Sequence, residues 1–382
     1  MITITKYTTM IERTVRKSIE KKLFKGKAIV LIGARQTGKT TLVKRVLKGR
    51  SDVAHLNCDE PIVRDTLTDV NLSELKRVVG KNRILFIDEA QRVKNIGLAL
   101  KLIIDGIEEV QLIVTGSSSL KLADEINEPL TGWKWEYQLF PVSWAEFTEY
   151  RGFLEAKSEL EQRILYGMYP DVIMNPDDEY DVLTQLSDSY LYKDLLAFKG
   201  IRKPELLEKL LQALALQIGN EVSYNELSKL LLVDKNTVAR YIDLLEKTSV
   251  IFTVPSFSRN MRKEISKGKK IYFYDCGVRN AIISNFNPLE LRTDKGALWE
   301  NFLFSERLKM LRYSGSRAKM YFWRTTDQRE VDYVETESRS LKAWEMKWNE
   351  NTKSRTISSF KDAYGTDINV VTPKNFDRFL EL

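Results

Sequence analysis

Histidine is almost missing from this chain: His55 is the only one in 382 residues. A single imidazole all but excludes a histidine-based catalytic dyad or a histidine-rich metal site. Cysteine is nearly as scarce. Cys58 and Cys276 lie far apart, so there is no disulfide framework and no CxxC metal site. This usage fits a reducing compartment, and the expected location is the cytoplasm. No apolar run approaches the roughly 20 residues that span a bilayer. The opening Met1–Lys6 lacks the basic and then apolar pattern of a secretory signal, so no membrane association is expected. Internal repeats and low-complexity tracts are also lacking.

What is present can build cores. Hydrophobic residues make up 43% of the chain and charged residues 30%, a globular rather than a disordered composition. The length exceeds one ordinary core and suggests two to four domains. Lys and Arg total 60 against 53 Asp and Glu, a net charge of +7. That excess permits contact with nucleic acid or acidic lipid without requiring it.

Residues 10–25 read as a helix. Short apolar runs at Ala28–Ile32, Val53–Asn57, Ile84–Ile87 and Gln111–Val114 alternate with helical stretches, including Lys39 to about Lys48. This alternation predicts an α/β domain with a parallel sheet covered on both faces. From Ser143 to Ser187 the pattern is helical, broken at Tyr169-Pro170 and Asn175-Pro176. A compact helical segment follows over 205–250 and ends in the strand-like run Val250–Val254. Residues 271–382 mix short strands with helices near 296–312 and 356–363, a further α/β domain. The expected division is 1–150, a P-loop domain; 151–204, a helical lid or connector; 205–260; and 261–382.

The strongest signal is Gly33-Ala34-Arg35-Gln36-Thr37-Gly38-Lys39-Thr40, which fits GxxxxGK[ST] between an apolar strand and a helix. The glycines let backbone amides close on phosphates, and the helix N-terminus adds its positive end. Lys39 is expected to meet the β- and γ-phosphates, and the Thr40 hydroxyl to ligate Mg²⁺, with Thr41 completing the loop. ATP or ADP is the expected nucleotide. The strand Ile84–Ile87 runs into Asp88 and Glu89. Asp88 is expected to hold Mg²⁺ through water and Glu89 to act as general base. The strand from Gln111 ends in Thr115-Gly116-Ser117-Ser118-Ser119, where Ser117 or Ser118 is the candidate sensor of the γ-phosphate.

These segments, with Phe140-Pro-Val-Ser-Trp-Ala-Glu146, resemble the predicted AAA+ ATPases of archaea and bacteria, relatives of the origin-recognition branch. The resemblance runs through nearly the whole chain. It implies a winged helix and a C-terminal domain of unknown function expected to be restriction-endonuclease-like. The family usually has an Arg, a candidate arginine finger, where this chain has Trp133 before Lys134. Lysine lacks the planar fork of arginine, so the departure puts fast hydrolysis in doubt. It also weakens the inference of a homo-oligomer in which one subunit completes the next one's site.

Ser223–Glu226 reads as a capping box, with Leu227, Leu230 and Leu231 as the apolar face of its helix. After the Val233-Asp234 turn, a second helix is expected to turn Val238, Ile242 and Leu245 inward and Lys235, Asn236, Thr237, Arg240 and Tyr241 outward. That is a helix-turn-helix spacing whose exposed residues suit phosphates and base edges of double-stranded DNA. Arg259, Arg262, Lys263, Lys267, Lys269 and Lys270 read as a basic wing. A winged helix that binds a protein partner is the alternative.

In the last domain, Glu300 lies in a helix and Asp332 at a strand start. Glu345 and Lys347 alternate on the next strand and so share a face. Asp332 and Glu345 are candidates to share Mg²⁺ with Glu300 nearby, and Lys347 to orient water. Helix acid, Asp, then Glu-x-Lys is the restriction-endonuclease-like order, a candidate nuclease site. Cys58, Cys276 and His55 read as structural, and Trp144 and Phe147 as core.

Overall fold

A computed structural model describes residues 10–117, 130–187, 203–258, 268–325, 327, 329–349 and 357–382. The described residues fall into two compact units. One comprises Met10–Val142 with Lys247–Ser249; the other comprises Ser143–Glu246 and Val250–Leu382.

The first unit contains α1 (Val15–Glu20), β1 (Ala28–Gly33), α2 (Lys39–Val46), β2 (Val53–Asn57), α3 (Pro61–Leu67), α4 (Leu72–Val79), β3 (Ile84–Asp88), α5 (Ile96–Gly106), β4 (Gln111–Ser117) and β5 (Lys134–Gln138). The strands form one parallel sheet in the order β2-β3-β4-β1-β5. Strands β1, β3 and β4 are buried almost throughout, as their unbroken apolar runs require. Edge strands β2 and β5 are half-buried along most of their length. Val30, Leu85, Ile87, Leu112 and Val114 meet Leu75, Leu100 and Ile103 of the covering helices in one core. Strand β5 has no counterpart in the sequence reading, because its polar alternation (Lys134, Glu136, Gln138) hides it. The helix expected over residues 10–25 is shorter, confined to Val15–Glu20.

The second unit begins with helices α6 (Trp144–Arg151), α7 (Phe153–Ser158), α8 (Leu160–Tyr166), α9 (Pro170–Met174) and α10 (Glu179–Leu186). They break at Tyr169-Pro170 and Asn175-Pro176, as the sequence predicts. Next come α11 (Pro204–Leu216), β6 (Glu221–Val222), α12 (Tyr224–Leu231), α13 (Lys235–Lys247), β7 (Ile251–Pro255) and β8 (Lys269–Phe273). The three strands form an antiparallel sheet in the order β6-β8-β7. Helix α14 (Cys276–Ile282) leads to α15 (Lys295–Ser314), β9 (Lys319–Arg324), β10 (Glu330–Glu337), β11 (Ser340–Met346), α16 (Ile357–Tyr364), β12 (Ile368–Val371) and α17 (Phe376–Phe379). The second sheet runs β12-β11-β10-β9; β9, β10 and β11 are antiparallel and β12 lies parallel to β11. The two sheets join where Phe257 N donates to Phe322 O at 2.6 Å. Trp144 and Phe147 are core residues; Trp144 packs on Phe302 and on Phe147.

Candidate functional site

The carboxyl ends of β1, β3 and β4 open side by side, the place where parallel α/β sheets bind ligands. Between β1 and α2 the glycine loop turns tightly. A Cβ on Gly33 would lie 2.2 Å from Leu139 O, so only glycine fits there. Gly38 has φ of 91° and starts α2. Lys39 is buried, and its Nζ donates to Gly33 O and Ala34 O at 3.0 and 2.9 Å. The Thr37 hydroxyl donates to Ala34 O. From outside the motif, the buried guanidinium of Arg13 donates to Thr37 O and Phe140 O, each at 2.6 Å, tying the loop to the end of β5. A lone Arg ahead of a short helix carried no signal of this role.

The Thr40 hydroxyl donates to Asp88 Oδ2 at 2.8 Å, which brings the two expected Mg²⁺ residues together. The Thr115 hydroxyl donates to Asp88 Oδ1 as well. A hydroxyl and a carboxylate are hard oxygen donors, a set that fits Mg²⁺ with water and phosphate oxygens as its remaining ligands. Glu89 follows with φ of 55°, in the left-handed region that a residue with a Cβ rarely occupies. Gln91 holds its side chain: Gln91 Nε2 donates to Glu89 Oε2 at 2.7 Å, while Gln91 Oε1 accepts from Ser117 N at 3.3 Å. Ser117 is buried at the end of β4; Ser118 lies outside the described residues. Thr115 and Gln91 were not singled out in the sequence. Their signals were available: Thr115 sits on the strand beside the acid strand, and Gln91 two residues past Glu89.

His55 also stands at this site. Its ring stacks on Phe86 at 4.5 Å, and its Nε2 lies 3.9 Å from Asp88 Oδ2. Burial pushes the imidazole below its ordinary value although Asp88 opposes this. Cys58 is buried, and burial pushes its thiol up to about 12, so it is inert. Trp133 is exposed, and Lys134 pairs with Glu136 at 2.5 Å.

In the second unit, Lys235, Asn236 and Arg240 are exposed on α13, and Val238, Ile242 and Leu245 are buried as expected. Tyr241 corrects the sequence reading. It is 3% exposed, because it lies three residues after Val238 and four before Leu245, on the apolar face of the helix. Thr237 is half-buried and committed locally: its hydroxyl and amide both bond Asp234, which caps α13. On α12, Ser223 accepts from Glu226 N, but Leu230 is exposed rather than inward. The basic run is also divided. Lys269 and Lys270 lie on β8 and Lys270 is buried, whereas Arg259, Arg262, Lys263 and Lys267 lie outside the described residues.

Among the C-terminal candidates, Lys347 Nζ lies 3.4 Å from both Asp332 Oδ2 and Glu345 Oε2. Asp332 Oδ2 also accepts from Met346 N at 2.7 Å. Glu300 has different partners, Lys270 and Tyr272 of β8.

Residues 25–148 match the family described as "AAA domain". Residues 157–289 and 295–378 match two families described as "Domain of unknown function", DUF8612 and DUF4143. The chain is 25% identical to the uncharacterized protein MJ1544 of Methanocaldococcus jannaschii over 374 residues, covering 92% of this chain and 82% of that one. It is 26% identical to the uncharacterized protein Rv2008c of Mycobacterium tuberculosis, covering 86% and 72%. Among solved structures, the Walker-type ATPase PABY2304 of Pyrococcus abyssi is similar with a TM-score of 0.48 and 17% identity, over 72% of this chain and 96% of that one. The glycine loop, the acid strand and the AAA match together make the first unit an AAA-type P-loop ATPase domain.

Proposed function

We propose that the chain is a Mg²⁺-dependent ATPase whose second unit binds double-stranded DNA, with slow turnover. The observation that carries the catalytic part is the convergence of Lys39, Thr40, Asp88 and Glu89 at one sheet edge. Loop amides and the N-terminus of α2 receive the phosphates, and Lys39 exchanges its loop carbonyls for phosphate oxygens. Thr40 and Asp88 would hold Mg²⁺, whose chemistry is to neutralise charge on the β- and γ-phosphates. Glu89, fixed by Gln91, takes a proton from the attacking water. The water oxygen bonds to the γ-phosphorus, and the bond to the β–γ bridging oxygen breaks, leaving ADP with that electron pair. Trp133 stands where the resemblance implies an arginine, and Lys134 is paired with Glu136, which is why turnover is read as slow.

Helices α11, α12 and α13 with the antiparallel β6-β8-β7 sheet follow the element order of a winged helix, and α13 offers Lys235, Asn236 and Arg240 to a duplex. The order α15, β9, β10, β11, α16, β12 supports a restriction-endonuclease-like domain. With Glu300 engaged by β8, we read that domain as a grip on DNA rather than a nuclease. Titrating labelled duplex with wild type and Arg240→Ala at several salt concentrations tests this. Wild type should bind with a steep salt dependence, and Arg240→Ala should weaken binding and lower the salt slope by about 1. Salt-insensitive binding, or none, would contradict the DNA reading.

One observation favours a second reading. Leu230 and Leu232 are exposed beside the helix-turn-helix, Leu232 at 91%. Such side chains suit a protein partner, with the chain then acting as a nucleotide-controlled switch.

A further inference from the structure

Lysine is rarely buried, because an ammonium that leaves water loses its hydration unless carboxylates replace it. The side chain of Lys270 is only 2% exposed. It projects from β8, the middle strand of the three-stranded sheet. Its Nζ lies 2.9 Å from Glu300 Oε1 on α15 and 2.5 Å from Glu330 Oε1 on β10. The ammonium also stands over the ring of Phe322, 5.4 Å from its centre. Tyr272, two residues further along the same strand face, donates its hydroxyl to the same Glu300 oxygen. Burial works against the charge on Lys270, but Glu300 and Glu330 outweigh it and hold the ammonium above its ordinary value.

The neighbouring carboxylates are compensated in the same way. Lys347 lies 3.4 Å from both Asp332 and Glu345, and Arg324 lies 3.5 Å from Glu330. A restriction-endonuclease-like fold implies a divalent ion held by Glu300, Asp332 and Glu345. The residues do not fit that ion. A metal would approach the Glu300 carboxylate to roughly 2.0–2.6 Å, and the Lys270 ammonium already stands at that carboxylate. Among the described residues, no group of three His, Cys, Asp or Glu converges to hold a metal.

We infer that Lys270 is the internal counter-cation of the C-terminal carboxylates, standing where a divalent ion would bridge Glu300 to its acidic neighbours. Lys270, Lys347 and Arg324 offset three of the four charges of Glu300, Glu330, Asp332 and Glu345 from within the chain, with no metal at Glu300. The inference holds whether or not the chain binds DNA, since it concerns the cluster's charge and not what the unit grips.

The test is Mn²⁺ titration of the nucleotide-free full chain, with free Mn²⁺ read by electron paramagnetic resonance. Wild type, Glu300→Gln, Lys270→Met and the double variant are compared. Wild type and Glu300→Gln should bind equal amounts. Lys270→Met should gain one Mn²⁺ per chain, and adding Glu300→Gln should remove it. Wild-type binding that disappears in Glu300→Gln would overturn the inference, and so would a folded Lys270→Met that gains nothing. Should Lys270→Met fail to fold, the comparison of wild type with Glu300→Gln still decides, checked by the effect of Mn²⁺ on both melting temperatures. Equal effects support the internal cation, and stabilisation of wild type alone refutes it.

Discussion

Lys39 is held against two loop carbonyls, so it is positioned before any phosphate arrives. Replacing it with Ala removes a charged hydrogen bond of roughly 1.5–3 kcal/mol. Nucleotide affinity should therefore fall roughly 10- to 100-fold by calorimetry with a slowly hydrolysed ATP analogue; unchanged affinity would contradict the phosphate assignment. Gln91 acts through Glu89, which it holds while itself anchored to Ser117 N at the end of β4. Gln91→Ala should lower kcat with little change in KM, and should add nothing in a chain already carrying Glu89→Gln. A change in KM alone would show that Gln91 serves binding instead. Lys39, Thr40, Asp88 and Glu89 were legible in the sequence because the loop and the acid strand are local patterns. Thr115 and Gln91 had positional signals beside the acid strand, but Arg13 and His55 had none, because their roles arise from contacts between segments distant in sequence.

At the scale of elements, the apolar runs placed the strands of the three sheets to within a few residues, except β5, whose polar alternation masks an edge strand, and the two-residue β6 (Glu221–Val222), too short to show a period. It failed where one position decides which way a side chain points. Tyr241 and Lys270 both read as exposed, one as polar-tipped and one as charged. Tyr241 is carried inward by the 3.6-residue period, and Lys270 because carboxylates from α15 and β10 await it. A second ionic tie joins α14 to the start of α15. Asp294 is half-buried and meets Arg279 and Arg292 at 2.6 and 2.8 Å. Burial pushes its carboxyl up, but the two guanidinium groups prevail and hold it at about 2. A carboxyl depressed in the folded state stabilises above its unfolded value near 4, and that contribution is lost as pH falls towards 2. The shift corresponds to on the order of 2 kcal/mol. Asp294→Asn should therefore lower the melting temperature at pH 7 by roughly 4–8 °C and flatten its fall below pH 4. An unchanged acid limb in calorimetry would show that the tie contributes nothing.

At the scale of the whole molecule, the first unit offers a glycine loop and an acid strand built from local motifs, and the second offers two sheets with a buried lysine, Lys270, paired to carboxylates of α15 and β10. The matches divide the chain in the same sense: an AAA domain over 25–148, and families of unknown function over 157–289 and 295–378. No described helix is long and apolar enough to cross a membrane. The central claim is that Glu89 at the carboxyl end of β3 drives ATP hydrolysis on the glycine loop. Its most direct measurement is phosphate release from ATP with Mg²⁺ by wild type and Glu89→Gln, alongside ATP binding by each. The account predicts slow hydrolysis by wild type, a loss of roughly 100-fold or more in Glu89→Gln, and undiminished binding by both. Equal hydrolysis by the two proteins, or ATP binding by neither, would contradict it.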